Sequence, residues 1–307
     1  MQSPEFDILG LGTIAVDDLV YVERYPPPDR KAMIHCERRT LGGQVATALA
    51  AASKLGARCA YGGALGQDEL SMAALGGLRG HGIDCRFVRA TAPAGPVHSI
   101  IIIDESAKTR NIFFDTSRMT PPPLPDIGEA LIGSARVLLL DQFNPPTMIR
   151  AAECAHALGV PVVMDMEWLH AARIEVLMSL ADHLLLPHDF AAAYTGLTAS
   201  EEIVCALHRG RRACTAVTCG AEGCYFLTSD SAAEVCHLPA VRVATVETTG
   251  CGDVFHGAYA TALGAGHPVL ECLRFAAAAA AAFAARPGGW EHLPALSDVN
   301  QLLSSMH

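Results

Sequence analysis

A basic face, a Walker phosphate loop, paired cysteines and a long apolar run are all missing from this sequence, and each absence removes a class of protein. Lysine and arginine number 22 against 32 aspartates and glutamates, a formal charge of −10. A general nucleic-acid binder needs a basic surface, so no nucleic-acid partner is expected. A phosphorylated ligand stays open, because a few backbone amides and one arginine suffice to hold it. The 11 cysteines are scattered and no CxxC pair occurs. Cys214, Cys219 and Cys224 are evenly spaced but lack a second half with histidine, which argues against structural zinc. Free thiols in a reducing cytoplasm are the expectation. The longest apolar stretch, Phe275 to Ala285, is 11 residues and too short to span a bilayer. The opening MQSPEFDILG has no basic segment of the signal-peptide kind. A cytoplasmic protein with no membrane partner is therefore expected.

What is present is a chain of 307 residues, 51% of them hydrophobic, enough for a large packed core. Asp7–Gly12 reads as a buried strand, and Val16–Val22 as a second extended element. Gly42-Gly43 precedes an alanine-rich helix that stops at Gly56. Val97–Asp104 and Asn111–Asp115 read as a hairpin. With Val16–Val22 and a strand around Ala32–Glu37, that hairpin predicts a small separate sheet. From Val137 onward, near-continuous apolar strands alternate with helices, which indicates a parallel sheet covered on both faces. Pro121-Pro122-Pro123 marks the return from the small sheet to the main body. One α/β domain with a small β appendage is expected.

Several motifs have both a plain and a functional meaning. Gly10-x-Gly12-x-x-Ala15 follows a strand like a dinucleotide fingerprint, but that fingerprint needs a helix next, and Val16–Val22 is extended. Asp17 is a turn residue or a ligand contact at a strand end. Gly42 and Gly43 make a turn or let backbone approach a ligand. Thr218, Gly220 and Gly223 fit a hairpin or a nucleotide-side turn. Asp165 and Glu167, past a buried strand, begin a helix at Glu167–Leu169 or border a bound phosphate and its magnesium. The Ala276–Ala282 run is a closely packed structural helix.

Glu247-Thr248-Thr249-Gly250-Cys251-Gly252-Asp253-Val254-Phe255 is the most informative stretch. A glycine-rich turn leads into a small-residue helix, and the first amides of a helix can hold an anion. A carboxylate beside that anion can accept the proton of an attacking hydroxyl. The pairing points to phosphoryl transfer. Three segments in order, Gly42-Gly43-Gln44-Val45-Ala46-Thr47 with its following helix and glycine-rich strand, Thr218-x-Gly220-x-x-Gly223, and Glu247–Phe255, resemble the ribokinase-like (PfkB) carbohydrate kinases from about Phe6 to Leu296. The resemblance implies a three-layer α/β fold with a mostly parallel central sheet and a small β-sheet lid, its strands drawn from about 16–38 and 97–116. It implies ATP and Mg2+, with Asp253 as general base and Gly250, Cys251, Gly252 and Asp253 as the anion hole. It assigns Asp17, Gly42, Gly43, Gln44 and Thr47 to a small-molecule sugar substrate, and Thr218, Gly220, Gly223 and Thr249 to ATP. A homodimer through the lid would use that sheet's open edge.

The chain also departs from the family pattern. Ala15 stands where an asparagine is common, and Gln44 and Thr47 occupy a segment that usually holds one, which makes ribose less favoured. The N-x-x-E motif becomes His188-Asp189-Phe190-Ala191, without its acid. Glu247 replaces an aspartate near the family's monovalent-cation site, which weighs against a potassium requirement. The expected activity is a sugar kinase. A nucleoside kinase of the same fold and a catalytically inactive ligand-binding homologue are the alternatives.

Overall fold

A computed structural model describes residues 4–169, 172–210, 212–229 and 234–304. The chain begins with β1 (Phe6–Leu11), β2 (Ala15–Val22), β3 (Ile34–Gly42), α1 (Gln44–Lys54), β4 (Cys59–Leu65), α2 (Glu69–Gly80) and β5 (Asp84–Ala90). It continues through β6 (Val97–Asp104), β7 (Thr109–Asp115), α3 (Glu129–Ile132), β8 (Ala135–Leu140), α4 (Pro145–Leu158), β9 (Val162–Asp165), α5 (Ile174–Ser179) and β10 (His183–Pro187). It ends with α6 (His188–Thr195), α7 (Ser200–Leu207), β11 (Cys214–Thr218), β12 (Cys224–Thr228), β13 (Cys236–Leu238), α8 (Cys251–Gly264), α9 (Val269–Ala284) and α10 (Leu296–Ser304).

Nine strands form the main sheet in the order β13-β12-β11-β10-β9-β8-β1-β4-β5. The run from β5 to β11 is parallel, and β12 and β13 add an antiparallel edge. Strand residues alternate between two apolar cores. Val137 and Leu139 enter one with α1, α8 and α9, while Leu138 and Leu140 enter the other with α4 and α7. Burial on both faces is why these strands read as unbroken apolar runs.

The predicted small sheet forms, with the order β3-β2-β6-β7. Its β3 runs past the expected end at Glu37 as far as Gly42, because it pairs with β2 along its whole length, down to Gly42 opposite Ala15. The Arg39 guanidinium, directly across from Asp18, pairs with its carboxylate at 2.7 Å. Four elements do not stand out in the sequence. β5 and β13 are edge strands, the first carrying charges along its length and the second only three residues long. α3 is a single turn, and α10 a short terminal helix. The helix start considered at Glu167–Leu169 does not form. That segment is irregular, and the next helix begins at Ile174.

The direction of α8 positions everything that follows. Its last residue, Gly264, lies by Asp7 at the start of β1. Near its first turn, His256 reaches the carbonyl of Leu185, midway along β10, and Asp253 shares its surroundings with Asp165 at the end of β9. The amino end of α8 thus opens at the carboxyl edge of the parallel strands, where ligands bind in sheets of this kind. Such a buried helix must pack closely, and a Cβ on Gly257 would run into the carbonyl of Ala48 on α1. Gly257→Ala is therefore expected to lose about 1–3 kcal/mol of stability through overpacking against rigid backbone, read as a lower urea midpoint at unchanged slope.

Candidate active site

Gly250, the residue before α8, takes φ +83°, a left-handed conformation that suits glycine. No side chain caps the helix. The approach is held from behind instead. Val246 and Glu247 donate their N–H groups to the Ala284 carbonyl at 2.7 and 3.3 Å. The Glu247 carboxylate accepts from the N–H of Thr248 at 2.9 Å, the N–H of Thr249 at 3.0 Å and the Thr249 hydroxyl at 2.7 Å. The N–H of Cys251 turns back to the Thr248 carbonyl at 3.2 Å. The result is an ordered turn in which the Cys251 N–H is partly engaged and the amides that follow it, at Gly252 and Asp253, are left for a ligand.

Carboxylates from four elements gather around that turn. Asp253 stands in the first turn of α8, Asp165 ends β9, Asp141 follows β8, and Asp17 lies on β2. Burial, then the charges of Asp165, Glu167, Asp141 and Asp17, push the Asp253 carboxyl well above the usual range. Asp141 is fully buried and accepts from the N–H groups of Thr13 at 2.6 Å and Phe143 at 2.8 Å. Its burial outweighs those bonds and pushes the carboxyl up to about 6. Asp17 is raised by burial, against the opposing hydrogen bond of Ser99. Partial desolvation, then the Asp165 charge, push Glu167 up to about 7. Glu167 is exposed at the rim, so solvent screens part of that shift. Beneath them lies His256, 3% exposed, its Nδ1 2.8 Å from the Gly252 carbonyl and 3.6 Å from Asp165 Oδ2. Its Nε2 is 2.9 Å from the Leu185 carbonyl.

The α1 side brings most of the sugar-assigned residues together. A Cβ on Gly42 would sit 2.5 Å from Asp17 Oδ2, and one on Gly43, at φ +91°, would meet Ile14 and Thr13 backbone. Both glycines are needed for that close approach. Gln44 donates its backbone N–H to the Thr13 hydroxyl at 3.0 Å. The backbone N–H of Glu167 donates to Gln142 Oε1 at 2.7 Å, so Gln142 turns its Nε2 to Gln44 Oε1 at 2.9 Å. That leaves buried Gln44 Nε2 with no partner among the described residues. Thr47 lies under the turn, its Cγ2 3.9 Å from where a Gly250 Cβ would be. Its hydroxyl oxygen accepts from Trp290 Nε1 at 3.0 Å.

Thr218, Gly220 and Gly223 sit apart from Asp253. Thr218 ends β11 opposite Pro187 of β10, and its hydroxyl lies 3.4 Å from the Leu186 carbonyl. Gly223, at φ +98°, has no room for a side chain against the backbone of Leu238–Ala240. Thr249 is joined to the small sheet, because Arg110 on β7 donates to its hydroxyl at 2.5 Å and lies 3.6 Å from Glu247. Strand register puts Asp17, Ser99 and Phe114 in one row, and Phe114 meets Trp168 with ring centroids 5.3 Å apart. Ala191 is buried, and the Asp189 side chain is fully exposed. Among the described residues no group of three or more His, Cys, Asp or Glu side chains could hold a metal. No helix there is long and apolar enough to cross a membrane.

Comparison with known proteins identifies the family and the fold. The model of the pfkB family of carbohydrate kinases matches residues 8–296. A ribokinase of Arabidopsis thaliana is 26% identical over 305 residues, covering 95% of this chain and 80% of that protein. A ribokinase of Staphylococcus aureus is 25% identical over 302 residues, covering 95% and 98%. The solved structure of Arabidopsis thaliana ribokinase complexed with ribose and ATP has a TM-score of 0.85 at 23% identity, covering 98% of this chain and 99% of that one. A nucleoside kinase of Methanocaldococcus jannaschii has a TM-score of 0.80 at 17% identity, covering 99% and 100%. The ribokinase-like fold expected from the sequence is the fold observed.

The raised Asp141 carboxyl makes a pH prediction. Between its unfolded value of 3.8 and its folded value of about 6, the native protein holds a proton that the unfolded chain has released. Stability falls with rising pH wherever the native state binds more protons. The melting temperature of ligand-free protein should thus fall between about pH 4 and pH 6. Asp141→Asn should flatten that part of the curve, whatever its effect at a single pH.

Proposed function

The chain belongs to the pfkB family and is a carbohydrate kinase, and from that premise we propose that it transfers the γ-phosphoryl group of ATP to a hydroxyl of a sugar or sugar-like polyol. The observation that carries this reading is Asp253, a raised carboxyl in the first turn of a helix whose amino end has no side-chain cap. In the transfer, Asp253 in its ionised form takes the proton of the attacking hydroxyl. Its raised value makes it a stronger base than an ordinary aspartate. The amides of Gly250, Gly252 and Asp253 face the charge that develops on the transferred group, and that of Cys251 joins them by sharing its long bond to the Thr248 carbonyl. Most of the catalysis is positioning and charge stabilisation.

The sugar lies between Asp17 with the Gly42–Gly43 backbone and the face of the small sheet that carries Ser99 and Phe114, and Gln44 and Thr47 border the same space. The small sheet acts as a lid, tied to the phosphate turn through Arg110 and Thr249. ATP extends from the turn towards Thr218, Gly220 and Gly223. Magnesium would enter on the nucleotide phosphates, since the described residues offer no ligand set of their own. Glu247 is engaged by its own loop and by Arg110, which favours a kinase with no potassium requirement.

Asp253→Asn should lower kcat at least a hundredfold in an ADP-release assay, with ATP and sugar affinities nearly unchanged. Near-normal turnover would remove Asp253 from the mechanism. An acceptor screen over hexoses, ketoses, pentoses and nucleosides should give its highest turnover on a sugar other than ribose. A nucleoside at the top of that screen would move the acceptor to the other class, and ATP binding without turnover on any acceptor would mark an inactive homologue.

A further inference from the structure

His256 has no task in the proposed transfer, yet it is buried directly under the carboxylates. Both of its ring nitrogens lie within hydrogen-bond distance of backbone carbonyls, Nδ1 of Gly252 at 2.8 Å and Nε2 of Leu185 at 2.9 Å. A carbonyl can only accept. A neutral imidazole has one N–H and one bare nitrogen, so either tautomer would leave a lone pair against a carbonyl oxygen. At 3% exposure, water cannot relieve that contact. Asp165 Oδ2, 3.6 Å from Nδ1, adds a third acceptor. We propose that His256 donates from both ring nitrogens, as a buried imidazolium that ties the anion-binding turn to β10 and balances the carboxylates around Asp253.

The charges facing it are of one sign. Asp165 and Glu167, from the end of β9, act on it directly, and Asp253, three residues earlier on α8, and Asp141, from the end of β8, belong to the same carboxylate cluster. Among the described residues, no other cation forms an ion pair with any of these four. The ionisable groups of α9 and β1 lie at the far end of α8, with Glu271 and Arg274 beside Ala265 and Asp7 beside Gly264. Lys54 ends α1, far from the Gln44 end. On β10, His183 is committed to Tyr259 at 2.8 Å. The other titratable group in the first turn of α8 is Cys251, whose thiol burial pushes up to about 11, so it stays neutral.

His256 is then a positioning residue. It holds the Gly252 carbonyl, in the middle of the turn, through a charged hydrogen bond, and such bonds are roughly twice as strong as neutral ones. Its charge also eases the ionisation that a base at Asp253 requires. This second role rests on Asp253 being the base, while the protonation itself does not.

The test is nitrogen NMR on ligand-free protein with labelled histidine near pH 7.5. The chain has 13 histidines, so the signal is assigned by its loss in His256→Gln, or by contacts to Leu185 and Gly252 if that variant does not fold. Two ring nitrogens, each with a directly bonded proton, are the expected result, and one bare nitrogen overturns the proposal. In the folded variant the acid limb of the kcat–pH profile should move up by about one unit, lowering kcat on that limb roughly tenfold with recovery at higher pH. An unmoved profile overturns the electrostatic role. The NMR result needs no substrate, so a failure of the sugar-kinase reading would be seen separately, as a wild-type enzyme with no acceptor.

Discussion

Asp253 stands where two opposite electrostatic demands meet. The uncapped first turn of α8 favours negative charge beside it. Asp165, Glu167, Asp141 and Asp17 disfavour it, and burial disfavours it more than any of them. The raised carboxyl is the outcome of that contest. A capping side chain would satisfy the amides and end it, but under the proposed reaction it would also fill the place of the transferred phosphoryl group. The turn is therefore held by groups that approach from behind and below, the Glu247 carboxylate, the Ala284 carbonyl and the His256 ring.

That arrangement depends on how closely α8 packs. Its amino end reaches the carboxyl edge of the sheet only because the helix lies flat between α1, α9 and the strands. Small residues make this possible. Gly257 touches backbone of α1, and the facing helices are rich in alanine. The same economy decides the α1 side of the cleft, where Gly42 and Gly43 bring the chain against Asp17 and the β1–β2 link. A bulky residue in this wall, Trp290, works as an anchor, and its indole N–H bonds the Thr47 hydroxyl directly below the Gly250 turn.

What could be read from the sequence is what is local. The Gly250–Asp253 turn, the Gly42–Gly43 step and the Thr218–Gly223 turn are each made of neighbouring residues, so the roles proposed for them are legible side by side. Strands buried on both faces are legible too, as apolar runs ended by turns. The remainder of the cleft is assembled from single residues at the ends of separate strands. Asp141, Gln142, Asp165 and Glu167 each look like a polar residue after a strand, and only the sheet order makes β8 and β9 neighbours. His256 is harder still, because nothing in a helical sequence announces that both nitrogens of a ring will meet carbonyls. β5 was hidden because its charges give an edge strand the look of a loop.

The departures from the family pattern also bear on one another. Thr47 commits its hydroxyl oxygen to Trp290, and Ala15 offers no polar group at all. Gln44 keeps both N–H donors of its amide, and its orientation is dictated through Gln142 by a backbone N–H that cannot be reversed. Against this scarcity of donors stand five carboxyl groups, four of them with ionisation made costlier by burial. Such a pocket has an excess of acceptors and of negative charge. It is complemented by a ligand that gives hydrogen bonds and brings cations with it. Under the proposed reaction the hydroxyls of a polyol would do the first and a magnesium-bound nucleotide the second, so the two substrates would relieve the same imbalance that keeps Asp253 poised as a base.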